Sequence, residues 1–180
     1  MRTTVVFVRM VLNEPLPPEI HDLLARRRAL GQDHFDEVWN GEYHMSPAPH
    51  GRHGLAEMEI NAILRPHALD AGLHPIGQFN IGHSDNYRVP DGGYLRTPSV
   101  QVFFGTAAIL VEILSPGDET FEKFDHYAEH GVEEIIVVDP ATKTVRCFDR
   151  RTDGMDFVEC ARSTLLAVAM TDVEQQMRWP

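Results

Sequence analysis

Glu112 is the residue with most to explain, because it interrupts the apolar run Ile109-Leu110-Val111-Glu112-Ile113-Leu114. Burying an unpaired charge among such neighbours is costly, so Glu112 needs either a structural partner or a bound cation. Strand alternation puts Leu110, Glu112 and Leu114 on one face and Val111 and Ile113 on the other. Asp91 is a second acid, held in Val89-Pro90-Asp91-Gly92-Gly93, where the proline fixes the approach and the glycines relax the backbone. Viewed alone it reads equally well as a turn aspartate. Lys123 is the third member. It falls early in the helix that follows the Glu112 strand, and helical side chains lean toward the helix N-terminus, so its ammonium can reach back toward that strand's end. In isolation it is an ordinary surface lysine. Two acids and a lysine on one strand–turn–helix frame amount to more than any one of them.

These residues need elements to position them. Pro18 opens a run of helix formers to Leu30, closed by Gly31, as proline at a helix start and glycine at its end predict. Its apolar residues Ile20, Leu23, Leu24 and Leu30 fit an amphipathic surface helix. Phe35 to Met45 alternates around Asn40-Gly41, a strong hairpin signal. Ser46-Pro47-Ala48-Pro49 breaks the chain before a second helix over 50–71, with Leu55, Met58, Ile63 and Leu64 at helical spacing and Pro66 as a kink or stop. Residues 75–104 read as short strands separated by Gly, Asn, Asp and Pro turns. Residues 107–114 read as a central strand covered on both faces, with Glu112 near the end where α/β sheets gather ligands. A helix over 118–130 and a strand over 132–139 follow, then a hairpin partner over 143–149, a less ordered β segment and a short tail. Strand, crossover helix and neighbouring strand require a mixed α/β sheet with a right-handed crossover, here one domain over residues 1–180.

The 180 residues are 43% hydrophobic and 24% charged, the balance of a globular protein. No apolar run approaches the length of a membrane helix. The opening residues 1–9 lack the long apolar core of a signal peptide, so a cytoplasmic location is expected. Cys147 and Cys160 then read as reduced, buried small residues, although paired strands would allow one disulfide. A net charge of −11 and a pI near 5.3 argue against binding nucleic acid through a broad basic surface. Basic residues can still be local, as in Arg26-Arg27-Arg28.

The segments Gly41-Glu42-Tyr43-His44-Met45-Ser46-Pro47, His53-Gly54, Val89-Pro90-Asp91 and Val111-Glu112-Ile113-Leu114-Ser115-Pro116 resemble the Uma-type restriction endonuclease family. The likeness continues through Lys123, Tyr127-Ala128, Gly131-Val132 and Val138-Asp139-Pro140, over about residues 35–150. That family belongs to the PD-(D/E)XK nucleases. The resemblance implies a restriction-endonuclease-like core: a mixed central β-sheet flanked by helices, extended by the N-terminal helix and hairpin. It also implies a phosphodiester hydrolase acting on nucleic acid, with DNA preferred. Asp91, Glu112 and the backbone carbonyl of Ile113 would be ligands of Mg²⁺ or Mn²⁺, and Lys123 would serve the attacking water or the developing charge. Glu42 would be an accessory acid and His53 a contact to phosphate or metal-bound water. Where many superfamily members carry lysine two residues after the glutamate, this chain has Leu114, and the resemblance moves that lysine to Lys123. Cleaving both strands of a duplex is easiest for a homodimer.

Two rival readings stand beside this one. A nuclease fold retired to a binding or regulatory role accords with the acidic charge, but such a site has no reason to keep Asp91, Glu112 and Lys123 together. A zinc site could be drawn from His44, His50, His53 and Glu57, yet their spacing matches no common zinc motif. No glycine-rich phosphate loop is present.

Overall fold

The computed structural model describes residues 10–12, 15–46, 49–151 and 156–180. The reading of residues 1–9 and the Pro47-Ala48 part of the predicted break lie outside them. In chain order the elements begin β1 Met10–Leu12, α1 Pro18–Ala29, β2 Glu37–Trp39, β3 Glu42–Met45 and α2 Gly51–Asp70. Short strands follow: β4 His74–Ile76, β5 Asn80–His83, β6 Asn86–Arg88, β7 Gly92–Leu95, β8 Phe103–Phe104 and the central β9 Ile109–Ile113. A 3-10 turn over Thr120–Lys123 leads into α3 Phe124–Glu129, β10 Glu134–Asp139 and β11 Thr144–Arg150. The chain closes with β12 Phe157–Cys160, β13 Arg162–Ser163, β14 Val168–Ala169 and α4 Met170–Gln176.

The mixed α+β fold has its site-bearing sheet in the order β12-β11-β10-β9-β7-β4. In it β9 pairs parallel with β10 and antiparallel with β7. A parallel neighbour requires a crossover, and the 3-10 turn and α3 supply it. All five residues of β9 are buried. Ile109, Val111 and Ile113 pack with residues of α2 and α4, including Ile60, Leu64 and Val173. Leu110 packs on the other face with Ile81, Tyr127 and Val137. Alternation therefore aims Glu112 at α3 and at the second sheet, ordered β1-β3-β2-β6-β5-β8. The β2–β3 hairpin of that sheet turns on Asn40 and Gly41, both at positive φ (51° and 90°), the conformation that Asn-Gly adopts most readily.

Several sequence expectations need correction. The core face of α2 is His53, Ala56, Ile60, Leu64 and Ala68, whereas Leu55 and Met58 are 60% and 70% exposed. Of the expected apolar positions Leu64 faces the core and Ile63 packs partly against it, while Ala56 and Ala68 fill the rest of that stripe beside Ile60. Pro66 lies inside α2 without ending it. No residue of α1 is fully buried. The expected helix over 118–130 starts later, because Asp118 is held in a turn: its Oδ2 accepts from the Ser115 N–H (3.0 Å) and its Oδ1 from the Thr120 hydroxyl (2.7 Å). The tail folds as α4, burying Met170 and Val173, and the following Met177 is buried as well. Cys147 and Cys160 face each other across β11 and β12 as free thiols.

α3 carries a buried histidine with a measurable consequence. His126 is 4% exposed, donates from Nε2 to the Ile81 carbonyl (3.0 Å) and lies against the His130 ring at 4.1 Å. Burial lowers its pKa to about 4 from an ordinary 6.5. A histidine kept neutral in the fold contributes its full stability above 6.5 and loses it as pH falls toward 4. At about 1.4 kcal/mol per unit, the loss reaches about 3 kcal/mol. His126→Gln should therefore lose less stability than wild type between pH 7 and pH 4.5 in urea unfolding. An equal loss would remove His126 as an acid-sensitive element.

Candidate active site

Asp91 precedes β7, and its carboxylate is fixed from two sides. Oδ2 accepts the Ile113 N–H at 2.7 Å, and Oδ1 is 2.9 Å from His53 Nε2. His53, in the first turn of α2, has its other ring nitrogen 3.2 Å from the Ser115 hydroxyl. The end of β9, the start of α2 and the approach to β7 thus meet at one carboxylate. Gly93 permits the close packing of β7 on β9: a Cβ there would stand 2.6 Å from the Ile109 carbonyl oxygen and 3.1 Å from the Phe79 ring. This accounts for glycine where a strand residue is more usual.

Glu112 is 2% exposed. Its Oε1 accepts the Tyr127 hydroxyl at 2.5 Å, and Lys123 Nζ lies 3.3 and 3.4 Å from its two oxygens. Lys123, 5% exposed, also stands 3.0 Å from Glu37 Oε1. Glu37 in turn accepts from Trp39 Nε1 (2.6 Å) and from the Val89 N–H (2.9 Å). A surface lysine is thus replaced by a buried ammonium shared between two buried carboxylates. The lysine's place on the crossover brings it to β9, where Leu114 would offer no charge.

The electrostatics follow from this crowding. Burial pushes the Glu112 carboxyl up to about 8; Lys123 opposes that shift, while Asp91 and Glu37 add to it. Burial by itself would lower Lys123, but Glu112 and Glu37 outweigh it and hold the ammonium charged. Burial likewise opposes a charged His53, and Asp91 overcomes it and raises the imidazole's pKa. Glu57, one turn further along α2, is raised first by burial and then by Asp91.

Asp91, Ile113 and His53 are thus joined directly, and Glu112 and Lys123 form the adjoining pair. Glu42 stands apart: it is exposed beside the hairpin turn, opposite Trp39. The N-terminal acid that reaches the site is Glu37, which sequence reasoning passed over. Its signal was present, since alternation places Glu37 on the same face as Trp39, an acid on the apolar side of a hairpin. The three histidines of the zinc reading have separate duties. His44 stacks on Trp39 (4.4 Å), His50 caps α2 by accepting the Arg52 N–H (3.2 Å), and His53 meets Asp91. Among the described residues, no three His, Cys, Asp or Glu side chains form a metal-binding group.

The family of restriction endonucleases termed Uma2, described as "Putative restriction endonuclease", matches residues 18–173. The chain belongs to that family. Membership supports a nuclease. A crystal structure titled as a putative nuclease from Anabaena variabilis aligns with a TM-score of 0.59 at 18% identity, covering 78% of this chain and 90% of that one. The likeness shows a shared fold. No curated protein matches the chain. No helix among the described residues is long and apolar enough to cross a membrane.

Proposed function

We propose that this Uma2-family chain is an endonuclease that hydrolyses phosphodiester bonds, with DNA as preferred substrate and Mg²⁺ or Mn²⁺ as cofactor. The observation that carries the reading is Lys123, a buried ammonium delivered by the crossover to the carboxylate of the central strand, beside Asp91. Family membership and the likeness to a protein described as a nuclease point the same way.

Asp91 and Glu112 offer oxygen donors of the kind a hard divalent cation takes. Asp91, Glu112 and Glu37 crowd one region, their mutual repulsion adds to the rise of Glu112, and Lys123 offsets only part of their charge. Asp91, Glu112 and the Ile113 carbonyl would hold the ion, as oxygen donors suit Mg²⁺ and Mn²⁺. When bound, such an ion polarises phosphate and lowers the pKa of water. The chain's own groups do the rest. Ile113 N–H and His53 orient Asp91, Tyr127 orients Glu112, and Lys123, held charged, supplies a positive group where phosphate charge develops. Purified protein incubated with plasmid, single-stranded DNA and RNA should cleave with Mg²⁺ or Mn²⁺ and fall silent in EDTA. Cleavage indifferent to EDTA would sink the metal-dependent reading.

We propose that a homodimer would pair through the outward face of α2. Leu55 and Leu69 (60% and 45% exposed) lie two turns either side of Ala62, with Met58 beside them. An antiparallel pairing about Ala62 sets Leu55 against Leu69 of the other copy and Arg52 near its Asp70. Sedimentation should give twice the 20.4 kDa chain mass, with Leu55→Glu/Met58→Glu returning the monomer. A wild-type monomer at micromolar concentration would end this reading.

A further inference from the structure

A cavity of about 880 Å³ opens between the end of α1, strands β5 and β6, and the segment 99–104. Its walls are aromatic and amide-bearing. Tyr87 and Phe103 meet edge to face at 5.3 Å, Phe35 lines the cavity with them, and Gln101 and Asn80, whose amide N–H donates to the Val102 carbonyl (2.9 Å), add side-chain amides. Residues 96–102 are all exposed, and Val100 and Val102 are 103% and 68% exposed at the rim. These two valines carry the apolar lining out to the cavity's mouth.

Val89 ties the cavity to the site. It lines the wall, its N–H is bound by Glu37, and Asp91 follows two residues later. Two extended residues span at most about 7 Å, so the Val89 wall of the cavity stands close to Asp91 at the end of β6. Tyr87 shares the Val38 face of its sheet, turned away from Glu37 and Lys123. Charge selects the kind of occupant. With a net charge of −11, the chain gains little from the counterion release that dominates duplex binding. Of the cluster Arg26-Arg27-Arg28, Arg27 is committed to Asp36 (2.8 Å), whereas Arg28 lines the cavity with its side chain 78% exposed, in a looser ion pair (3.7 Å) with Asp33 of the same lining. Few phosphates can be neutralised here, so affinity must come from elsewhere. Aromatic faces stack any base and amides hydrogen-bond its edge.

We infer that this cavity takes an unpaired nucleobase of the substrate strand, stacked on Tyr87, with Asn80 and Gln101 at its polar edge and Arg28 on a neighbouring phosphate. The inference rests on the nuclease reading and narrows its substrate to single-stranded or locally unpaired nucleic acid.

The test is fluorescence anisotropy of labelled 12-mers, single-stranded and duplex, with the full chain in EDTA so that binding is read without cleavage. The single strand should bind roughly tenfold tighter than the duplex, with a salt slope of about two phosphates or fewer. Tyr87→Ala and Gln101→Ala should each weaken it by roughly tenfold, the range of one base stack, while Tyr87→Phe keeps affinity. Gln101 is exposed, so its variant tests the cavity even if Tyr87→Ala misfolds. Tighter duplex binding with a steep salt slope, or variants that bind like wild type, would overturn the inference and leave the nuclease reading to the plasmid assay. Absence of binding together with absence of metal-dependent cleavage would overturn both.

Discussion

Lys123→Ala is expected to abolish cleavage and to destabilise the fold by about 3–5 kcal/mol, the cost of removing one partner from a buried ionic network. The ammonium lies 3.0 Å from Glu37 and 3.3 Å from Glu112, and all three groups are buried. Without it two carboxylates face each other out of water, and both are driven to take up protons. The loss should grow as pH rises, because ionising the orphaned acids becomes the penalty. Lys123→Met, which keeps the stem and removes only the charge, separates packing from electrostatics. Urea unfolding at pH 6 and pH 8.5 checks the claim. A loss below about 0.5 kcal/mol, the range of surface substitutions, would show that the network carries no such weight.

Glu112→Gln should behave in the opposite way: cleavage lost by roughly 10³-fold, the scale for removing a key electrostatic group, with stability kept or gained. Burial raises the Glu112 pKa to about 8 from an ordinary 4.5. A carboxyl raised in the fold favours the native state below the lower value, and that contribution is lost as pH climbs through the higher one. At pH 8.5 the ionised carboxylate strains the fold, and the amide removes the strain while still accepting from Tyr127. Sites that store function at the cost of stability behave in this manner. Thermal unfolding at pH 6 and 8.5 should show the variant gaining on wild type as pH rises. A variant that loses stability at both pH values would mean that Lys123 fully compensates Glu112, and the metal-binding reading would lose its electrostatic support.

Much of this arrangement was legible because strong local patterns agree with the fold. A buried run broken by one glutamate could only be a central strand, and the Asn-Gly turn could only close a hairpin. Lys123 was placed on the correct crossover, but within its helix and not in the 3-10 turn that precedes α3, and at the wrong depth, since its burial depends on Glu37, 86 positions earlier in the chain. Nothing in its own neighbours reveals that partner. Glu37 was missed for the same reason, and exposed Glu42 drew attention through the family pattern. The outward Leu55 and Met58 show a further limit: periodicity finds a helix but not which stripe faces the sheet when alanines do the packing. The C-terminal helix escaped because its polar residues outnumber the two that anchor it, Met170 and Val173.

The most direct test is a single-turnover cleavage assay with Mn²⁺, comparing wild type, Asp91→Asn, Glu112→Gln and Lys123→Met on one single-stranded DNA. Metal-dependent cleavage by wild type, with all three variants slowed by about 10²-fold or more, is the predicted result. Cleavage that persists in the variants would place the chemistry elsewhere, and a wild type inert with every metal would leave a nuclease fold serving some other purpose.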